Sequence, residues 1–252
     1  MKELIRRGLR TAVICALRWR SRPYPLVGDS RCLIIAPHQD DEAMGCAGLI
    51  LARRTAGLAV DIIYLTDGAG SHPGHPRVSP VTLAQLRRAE ASRAMQGLNV
   101  EATSLHFLDA PDGTLAHLSP ATFEDLAQRL AALIAPLAPT ELFLPCRNDG
   151  SSEHTAAFKL TVRALQLARL SPRLFEYPIW ARWSPQRLIR PGFTSRRVWW
   201  LSFPLTVPRK REALACYVSQ TTPTPPWSQP VLPPGFAASF DSAEEFFFDQ
   251  SS

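Results

Sequence analysis

The stretch that decides the fold is CLIIAPHQDDEAMGCAG, residues 32–48. Its first five residues are apolar and end at Pro37, a pattern typical of a buried strand that stops at a turn. Residues 43–56 then have the composition of a helix. The turn between them contains three side chains that can bind a metal or a proton: His38, Asp40 and Asp41. The stretch predicts a strand, a polar turn and a helix.

Strand-like and helix-like segments go on alternating along the chain. The apolar runs at 60–65, 103–108 and 141–145 predict strands, and the periodic segments at 80–98, 121–137 and 153–170 predict helices. Further strands at 174–180 and 198–203 and a helix at 210–219 are expected in the less regular remainder. Gly45 and Gly48 allow the first helix to pack closely. This order predicts an α/β fold, a three-layer Rossmann-like domain with a mostly parallel sheet.

Candidate site residues with polar side chains follow each of the first four predicted strands, at the point where the strand ends. In open parallel sheets, ligands bind outside the carboxyl ends of the strands. The candidates are His38, Asp40 and Asp41 after the first strand, Asp67 after the second, Asp109 and Asp112 after the third, and residues 149–154 after the fourth. The sequence therefore predicts a single active site at this edge of the sheet.

The spacing of His38 and Asp41 suits a metal centre. Imidazole and carboxylate are zinc ligands, and a catalytic zinc usually has three protein ligands plus water, so a third ligand must come from elsewhere in the chain. Asp40 lies between them and could accept a proton from a metal-bound water. An ordinary polar helix start is the alternative, because acidic residues are favourable at helix N-termini.

Residues 34–48, IIAPHQDDEAMGCAG, closely resemble the signature of the PIG-L/LmbE family of zinc-dependent N-deacetylases. Further blocks similar to that family follow in the family's order: TDGAGSHP at 66–73, LRRAE at 86–90, FLDAPDG at 107–113, EYPIW at 176–180, and KREAL followed by SQ within 210–220. The resemblance covers approximately residues 32–220 and implies an LmbE-like fold. Several motifs in the same order identify the chain as a member of this family.

The resemblance implies that Zn2+ is held by His38, Asp41 and His154 and that Asp40 is the general base. His154 is the last residue of DGSSEH, residues 149–154, which matches the family's D-x-H-x-D-H motif with two departures. Ser151 stands where the family usually has a histidine that stabilises the oxyanion or protonates the leaving amine, and Glu153 replaces an aspartate. His72, in the loop at 71–76, is a candidate replacement donor.

Two further residues, Arg87 and Asp112, match positions that contact substrate hydroxyl or phosphate groups in the family. Alternatively, Arg87 is a solvated charge on a helix face and Asp112 is an ordinary turn residue. Together with His72 and Ser151 they form the predicted substrate-binding set. Asp67 either acts in the same way or braces its loop.

The resemblance implies a zinc-dependent hydrolase that removes an N-acetyl group from an N-acetylglucosamine-like sugar in a glycolipid, oligosaccharide or glycoconjugate. Two alternatives stay open: a member that binds metal or sugar without turnover, suggested by Ser151, and an amidase of thiol conjugates. A dinucleotide-binding protein is excluded, because charged residues at 38–42 occupy the place where a G-x-G-x-x-G turn would follow the first strand.

Composition sets the expected organisation. With 252 residues, 46% of them apolar, the chain is long enough for one large domain at 29–220, preceded by a basic helix or arm at 1–28 and followed by a proline-rich arm at 221–252 packed on the same domain. The net charge of +6 favours anionic partners, such as a phosphorylated or acidic substrate or a membrane surface, over nucleic acid.

Location follows from the cysteines and the N-terminus. The five cysteines are far apart and odd in number, which favours a reducing cytoplasm over a disulfide framework. No apolar run approaches the roughly 20 residues that cross a bilayer. We expect a cytoplasmic protein whose basic N-terminal helix rests either on the domain or on the anionic inner face of the membrane.

Overall fold

The computed structural model describes residues 2–190, 193 and 196–250. The strands are β1 (Arg22–Pro23), β2 (Cys32–Ala36), β3 (Val60–Thr66), β4 (Leu105–Ala110), β5 (Glu141–Pro145), β6 (Arg173–Tyr177), β7 (Val198–Ser202) and β8 (Glu244–Asp249). The α-helices are α1 (Lys2–Arg20), α2 (Asp41–Thr55), α3 (Pro80–Gly97), α4 (Pro120–Leu137), α5 (Ser152–Ala168), α6 (Trp180–Trp183), α7 (Val207–Ala215) and α8 (Val218–Thr221). Helix α2 begins at the residue that follows Asp40.

All eight described strands belong to one sheet, in the order β1-β7-β8-β6-β5-β2-β3-β4. Every pairing is parallel except those of β8, which runs antiparallel between β6 and β7. Strands β2 and β5 lie side by side at the centre, although about a hundred residues separate them in the chain. Their carboxyl ends bring the turn at 37–41 next to the loop at 146–151.

The two faces of the sheet are covered by different helices. Ile34 and Ile62 point into a core shared with α2, α3 and α7, while Leu33, Ile35 and Ile63 point into one shared with α4 and α5. Neighbouring residues of a strand face opposite sides, so a strand covered on both faces is apolar throughout. The predicted three-layer α/β fold with a mostly parallel sheet is confirmed.

Strand β8 has no counterpart in the expectations from sequence. Its residues, EEFFFD, include three carboxylates, which do not predict a buried strand. Two of these are buried because they have cationic partners: Glu245 contacts Lys210 at 2.7 Å, and Asp249 contacts Arg173. The helix expected at 210–219 is also divided, into α7 and α8, with Tyr217 between them.

The N-terminal helix packs on the domain through one face. Val13 and Leu17 are buried against Phe246 and Phe248 of β8, whereas Trp19 is 92% exposed. Arg18 ties the same helix to the sheet through an ion pair with Glu244. In the described part of the chain, no helix combines the length and the apolarity needed to cross a membrane.

Candidate active site

The turn after β2 places His38 and Asp41 against each other. Thr66 Oγ1 donates a hydrogen bond to the carbonyl of Pro37, and Gln39 Nε2 donates one to the carbonyl of Thr66, so the end of β3 holds the turn. Asp41 begins helix α2, and its Oδ2 accepts a hydrogen bond from the backbone N–H of His38 at 3.1 Å. The same oxygen lies 3.2 Å from Nδ1 of the His38 ring.

His154 completes the predicted ligand set from the first turn of α5. Its Nε2 lies 3.5 Å from Oδ2 of Asp41, and the His38 and His154 rings are 6.0 Å apart. One ligand atom from each of the three residues lies within 4.8 Å of those from the others. Two imidazoles and one carboxylate at this spacing are a donor set that fits zinc and leaves a coordination position for water.

The pKa values of His38, His154 and Asp41 also indicate that a positive charge is favoured between these side chains. Burial lowers the pKa of His38, but hydrogen bonds to Asp112 and Asp41 outweigh that effect and raise it to about 10. His154 behaves alike: burial is outweighed by Asp41 and Asp149, and its pKa rises to about 9. Burial opposes ionisation of Asp41, yet the two histidines hold its pKa well below the usual range. The three donors therefore favour a cation between them.

A further carboxylate orients each histidine by contacting the ring nitrogen that does not face Asp41. His38 Nε2 lies 3.2 Å from Oδ1 of Asp112, and His154 Nδ1 lies 2.7 Å from Oδ2 of Asp149. Such carboxylate partners fix the tautomer and ring orientation of metal-ligating histidines and increase their basicity. Asp112, expected to contact substrate, thus also positions His38. Asp149 was not assigned a role from sequence, although a carboxylate five residues before a ligand histidine is the signal that could have identified it.

Asp40 lies beside the ligand set in an unusual backbone conformation. Its φ of 150° is a strained value for a residue with a side chain, and the backbone N–H of Asp40 is held by Oε2 of Glu42 at 3.0 Å. Glu42 is itself buried and accepts hydrogen bonds from the hydroxyls of Tyr64 and Tyr217. Two tyrosines and one glutamate therefore hold the proposed base in place.

Arg87 connects Asp40 to the rest of the site. Its guanidinium lies 3.5 Å from Oδ2 of Asp40 and donates hydrogen bonds to the carbonyls of Gln39 and Gly68. Burial raises the pKa of Asp40 to about 7, although Arg87 lowers it. Arg87 is buried rather than solvated, so the alternative reading of this residue as a free helix charge is wrong.

Ser151 and Glu153, the two departures from the family motif, lie close to His154. Ser151 is the N-cap of α5, and its Oγ accepts a hydrogen bond from the backbone N–H of His154 at 3.3 Å. Glu153 accepts a hydrogen bond from the N–H of Ala116, and its other oxygen lies 3.9 Å from Nε2 of His38. Ser151 therefore positions His154, the third predicted ligand, through the backbone.

A cavity lies beside His38, Asp41 and His154, and His72 is not among the residues that line it. Its ring stacks on Trp227 with centroids 5.3 Å apart and bonds Thr224 Oγ1 through Nε2, so it anchors the proline-rich segment. Asp67 braces its loop: its Oδ1 accepts hydrogen bonds from the backbone N–H groups of Ala69 and Asp112. Among the predicted substrate-binding residues, Arg87, Asp112 and Ser151 line the cavity.

The cavity has a volume of about 240 Å³ and two kinds of lining. The polar residues lie in the loops at the carboxyl ends of the strands or on helices α2, α3, α5 and α8: His38, Asp40, Asp41, Ser71, Arg87, Asp112, Ser151, His154 and Gln220. The apolar residues come from α2, from the segment after β6 and from the proline-rich segment: Met44, Ile179, Trp180, Val231, Leu232 and Phe236. From the sequence, Trp180 is interpreted as core or pocket wall and the proline-rich arm as a possible cover of the site, but the other apolar lining residues are not identified, because no local pattern places them beside the predicted ligands.

Comparisons with known proteins show which proteins this chain resembles. The chain is 28% identical over 167 residues to a diacetylchitobiose deacetylase of Thermococcus kodakarensis, a match that covers 65% of this chain and 59% of that protein's length. The chain thus spans less than two thirds of that relative.

Solved structures share the fold. A conserved protein of Thermus thermophilus has a TM-score of 0.57 at 29% identity, covering 77% of this chain and 80% of that one. The N,N'-diacetylchitobiose deacetylase of Pyrococcus horikoshii has a TM-score of 0.60 at 18% identity, covering 88% and 80%. The profile of the PIG-L family, described as GlcNAc-PI de-N-acetylase, matches residues 33–165, more than half of the chain and all of the predicted ligands. The chain belongs to the PIG-L family.

Proposed function

We propose that this protein is a zinc-dependent hydrolase that removes the N-acetyl group from an N-acetylglucosamine-like sugar. The observation that carries the proposal is the convergence of His38, Asp41 and His154 on one point, with the carboxylate of Asp40 beside them in a cavity. The family's description, GlcNAc-PI de-N-acetylase, and the activity of the Thermococcus relative, a diacetylchitobiose deacetylase, support an N-acetylated amino sugar as the substrate.

Asp40 is the group that moves protons. When bound, zinc would lower the pKa of a water molecule and polarise the acetamide carbonyl. Asp40 accepts the proton of the attacking water, and its neighbour Arg87 favours the ionised carboxylate that can do so. Because Glu42 holds the backbone of Asp40, the carboxylate is oriented before substrate arrives.

The leaving nitrogen also needs a proton before the C–N bond breaks. Ser151 cannot deliver one at neutral pH, because a serine hydroxyl is too weak an acid, and its oxygen accepts the N-cap hydrogen bond of α5. Asp40, protonated in the first step, returns the proton to the nitrogen and becomes a carboxylate again. One residue then acts as base and acid, and the products are acetate and a free amine.

Binding without turnover is the second candidate, and Ser151 is the observation that favours it. A histidine at this position would offer a charged hydrogen-bond donor to the developing oxyanion, and such donors are commonly worth about 3–4 kcal/mol of barrier. A protein that lacks this donor and has no substitute would bind zinc and sugar and release no acetate.

The test measures zinc and acetate together. The purified protein is expected to bind one zinc per chain and to release acetate from a panel of N-acetylglucosaminides, while His38→Ala loses both. His117→Ala, a change of an exposed histidine on the neighbouring loop, is the matched control and should retain both. Stoichiometric zinc without acetate from any substrate would support the binding candidate, and equal zinc in the parent and His38→Ala would refute the metal site.

A further inference from the structure

Two of the sequence blocks have no part in the proposed chemistry: Glu90, at the end of the block at 86–90, and the pair Ser219 and Gln220. The structure brings them together. Glu90 of α3 contacts Ser219 of α8, both residues are buried, and Gln220 is among the residues that line the cavity. The bonds behind Gln220 therefore decide which of its atoms is available to a ligand.

Glu90 fixes the hydroxyl group of Ser219. Oε1 of Glu90 accepts a hydrogen bond from the backbone N–H of Ser219 at 2.8 Å, and Oε2 lies 2.6 Å from the Oγ of the same serine. A carboxylate can only accept hydrogen bonds, so the Ser219 hydroxyl donates its single hydrogen to Glu90. Toward any further partner, Oγ of Ser219 can then only accept.

The orientation of the Gln220 amide follows from this bond. Because Oγ of Ser219 has no hydrogen left to donate, the Gln220 atom that lies 2.9 Å from it must be the donor, Nε2. The other hydrogen of Nε2 is donated to Oγ of Ser71 at 3.3 Å, on the loop that follows β3. A flipped amide would place two oxygens that lack a shared hydrogen against each other.

The amide oxygen of Gln220 is left as an acceptor. Within the described part of the chain, no donor contacts this Oε1, while both hydrogens of Nε2 are used. Gln220 is buried apart from its contact with the cavity, so the cavity is where its oxygen can find a donor. A ligand that fills the cavity must supply that donor or leave a buried acceptor unpaired.

We propose that Gln220 is a specificity-determining residue whose Oε1 accepts a hydrogen bond from one ring hydroxyl of the sugar, and that Glu90 and Ser219 are the positioning residues behind it. The proposal rests on the proposed function. In that function Asp40 acts on the acetamide nitrogen, so the ring hydroxyls are the donors left for Gln220. A sugar that lacks the matching hydroxyl would leave Oε1 unpaired and bind more weakly.

Deoxy sugars test the contact by calorimetry. The zinc-loaded protein carries Asp40→Asn throughout, so that no sugar is hydrolysed during the measurement. The methyl glycoside of N-acetylglucosamine is compared with its 3-deoxy, 4-deoxy and 6-deoxy analogues. At least one analogue should bind about 10- to 100-fold more weakly than the full sugar, because it leaves a buried acceptor unpaired. Adding Gln220→Met should reduce that penalty to less than about three-fold, because a thioether is a weak acceptor.

The controls separate recognition from a structural role. A structural effect of Gln220→Met would weaken the binding of all four sugars by the same factor and leave the penalty unchanged. Gln96→Met makes the same chemical change at an exposed position on α3 and should keep the penalty of the parent. If Gln220→Met fails to fold, Ser219→Ala removes the oxygen that holds Nε2, frees the amide to rotate, and should also lower the penalty.

Acetate release by the protein with Asp40 intact is measured separately, so the two proposals can fail independently. Equal penalties in the parent and in Gln220→Met, or no penalty in the parent, would overturn the role of Gln220 and leave deacetylation standing where acetate is released. A penalty that depends on Gln220, without acetate release, would overturn deacetylation and leave the hydroxyl contact standing. Failure of all four sugars to bind, with no acetate released, would overturn both.

Discussion

Oδ2 of Asp149 lies 2.7 Å from Nδ1 of His154, and both side chains are buried. The same carboxylate accepts three backbone N–H groups from the start of α6. A histidine held in this way can present only Nε2 to the cavity, so Asp149 decides which nitrogen faces Asp41. The bond thus links a predicted metal ligand to the segment that forms part of the cavity lining.

Asp149→Asn is therefore expected to weaken zinc binding by about 10- to 100-fold, because an amide no longer fixes the tautomer or raises the basicity of His154. Competition with a chromophoric chelator measures the affinity. Asp125→Asn, at an exposed position on α4, is the control and should bind zinc as the parent does. Unchanged affinity in Asp149→Asn would show that this carboxylate serves only the fold of the loop.

Ser151→Ala should lower the free energy of unfolding by about 1 kcal/mol, since it removes the N-cap of α5. Ser151→Thr keeps a capping hydroxyl and should cost less. Urea unfolding followed by circular dichroism measures both variants. If the two are equally stable, the hydroxyl at this position does not act as a cap.

Ser151→His tests the same position for catalysis. An imidazole there should raise the rate of acetate release if the missing donor limits the reaction, at some cost in stability from the lost cap. Steady-state kinetics with the best substrate of the panel provide the measurement. A rate equal to that of the parent would mean that Asp40 or another group already supplies the donor.

Gly45→Ala should destabilise the protein by about 1–3 kcal/mol through overpacking. A Cβ on Gly45 would collide with the ring of Tyr177, whose hydroxyl is fixed by a hydrogen bond to the carbonyl of Ile35. Gly97→Ala is the matched control, because nothing lies within 4 Å of the added Cβ at that helical position. The control should be neutral or more stable, and thermal unfolding distinguishes the two outcomes.

Lys210→Met should cost about 3–5 kcal/mol of stability, because it leaves the buried carboxylate of Glu245 without its cationic partner. Glu245 also accepts the backbone N–H groups of Gly48 and Leu49, so the pair joins α7 and β8 to α2. The neighbouring Arg211→Met is the control. Its ion pair with Asp241 is largely exposed and should be worth no more than about 1 kcal/mol. Similar losses in denaturant unfolding for both variants would contradict the burial argument.

Local patterns were sufficient for most of the fold. Strand β2 and strand β5 occur at the predicted residues, and α2 to α5 begin and end within a few residues of the expected positions. Neighbouring elements cover one or both faces of each of these strands and helices. The spacing of their apolar residues therefore indicates which residues are buried. Strand β8 was missed for the opposite reason: its carboxylates are buried by pairing with distant lysine and arginine residues, which no local pattern records.

The candidate site divides in the same way. The spacing of His38, Asp40 and Asp41 predicts a turn that could bind a metal, because a strand followed by a helix presents nearby side chains at that corner. The tertiary structure alone decided that Asp149 orients His154 and that Val231 and Leu232 face the same cavity. Those positions depend on the order of strands in the sheet and on the path of the proline-rich segment. Contacts between residues far apart in the chain are set by packing, which also braces the turn at 37–41 through Thr66, whereas the order of the polar side chains along that turn is local.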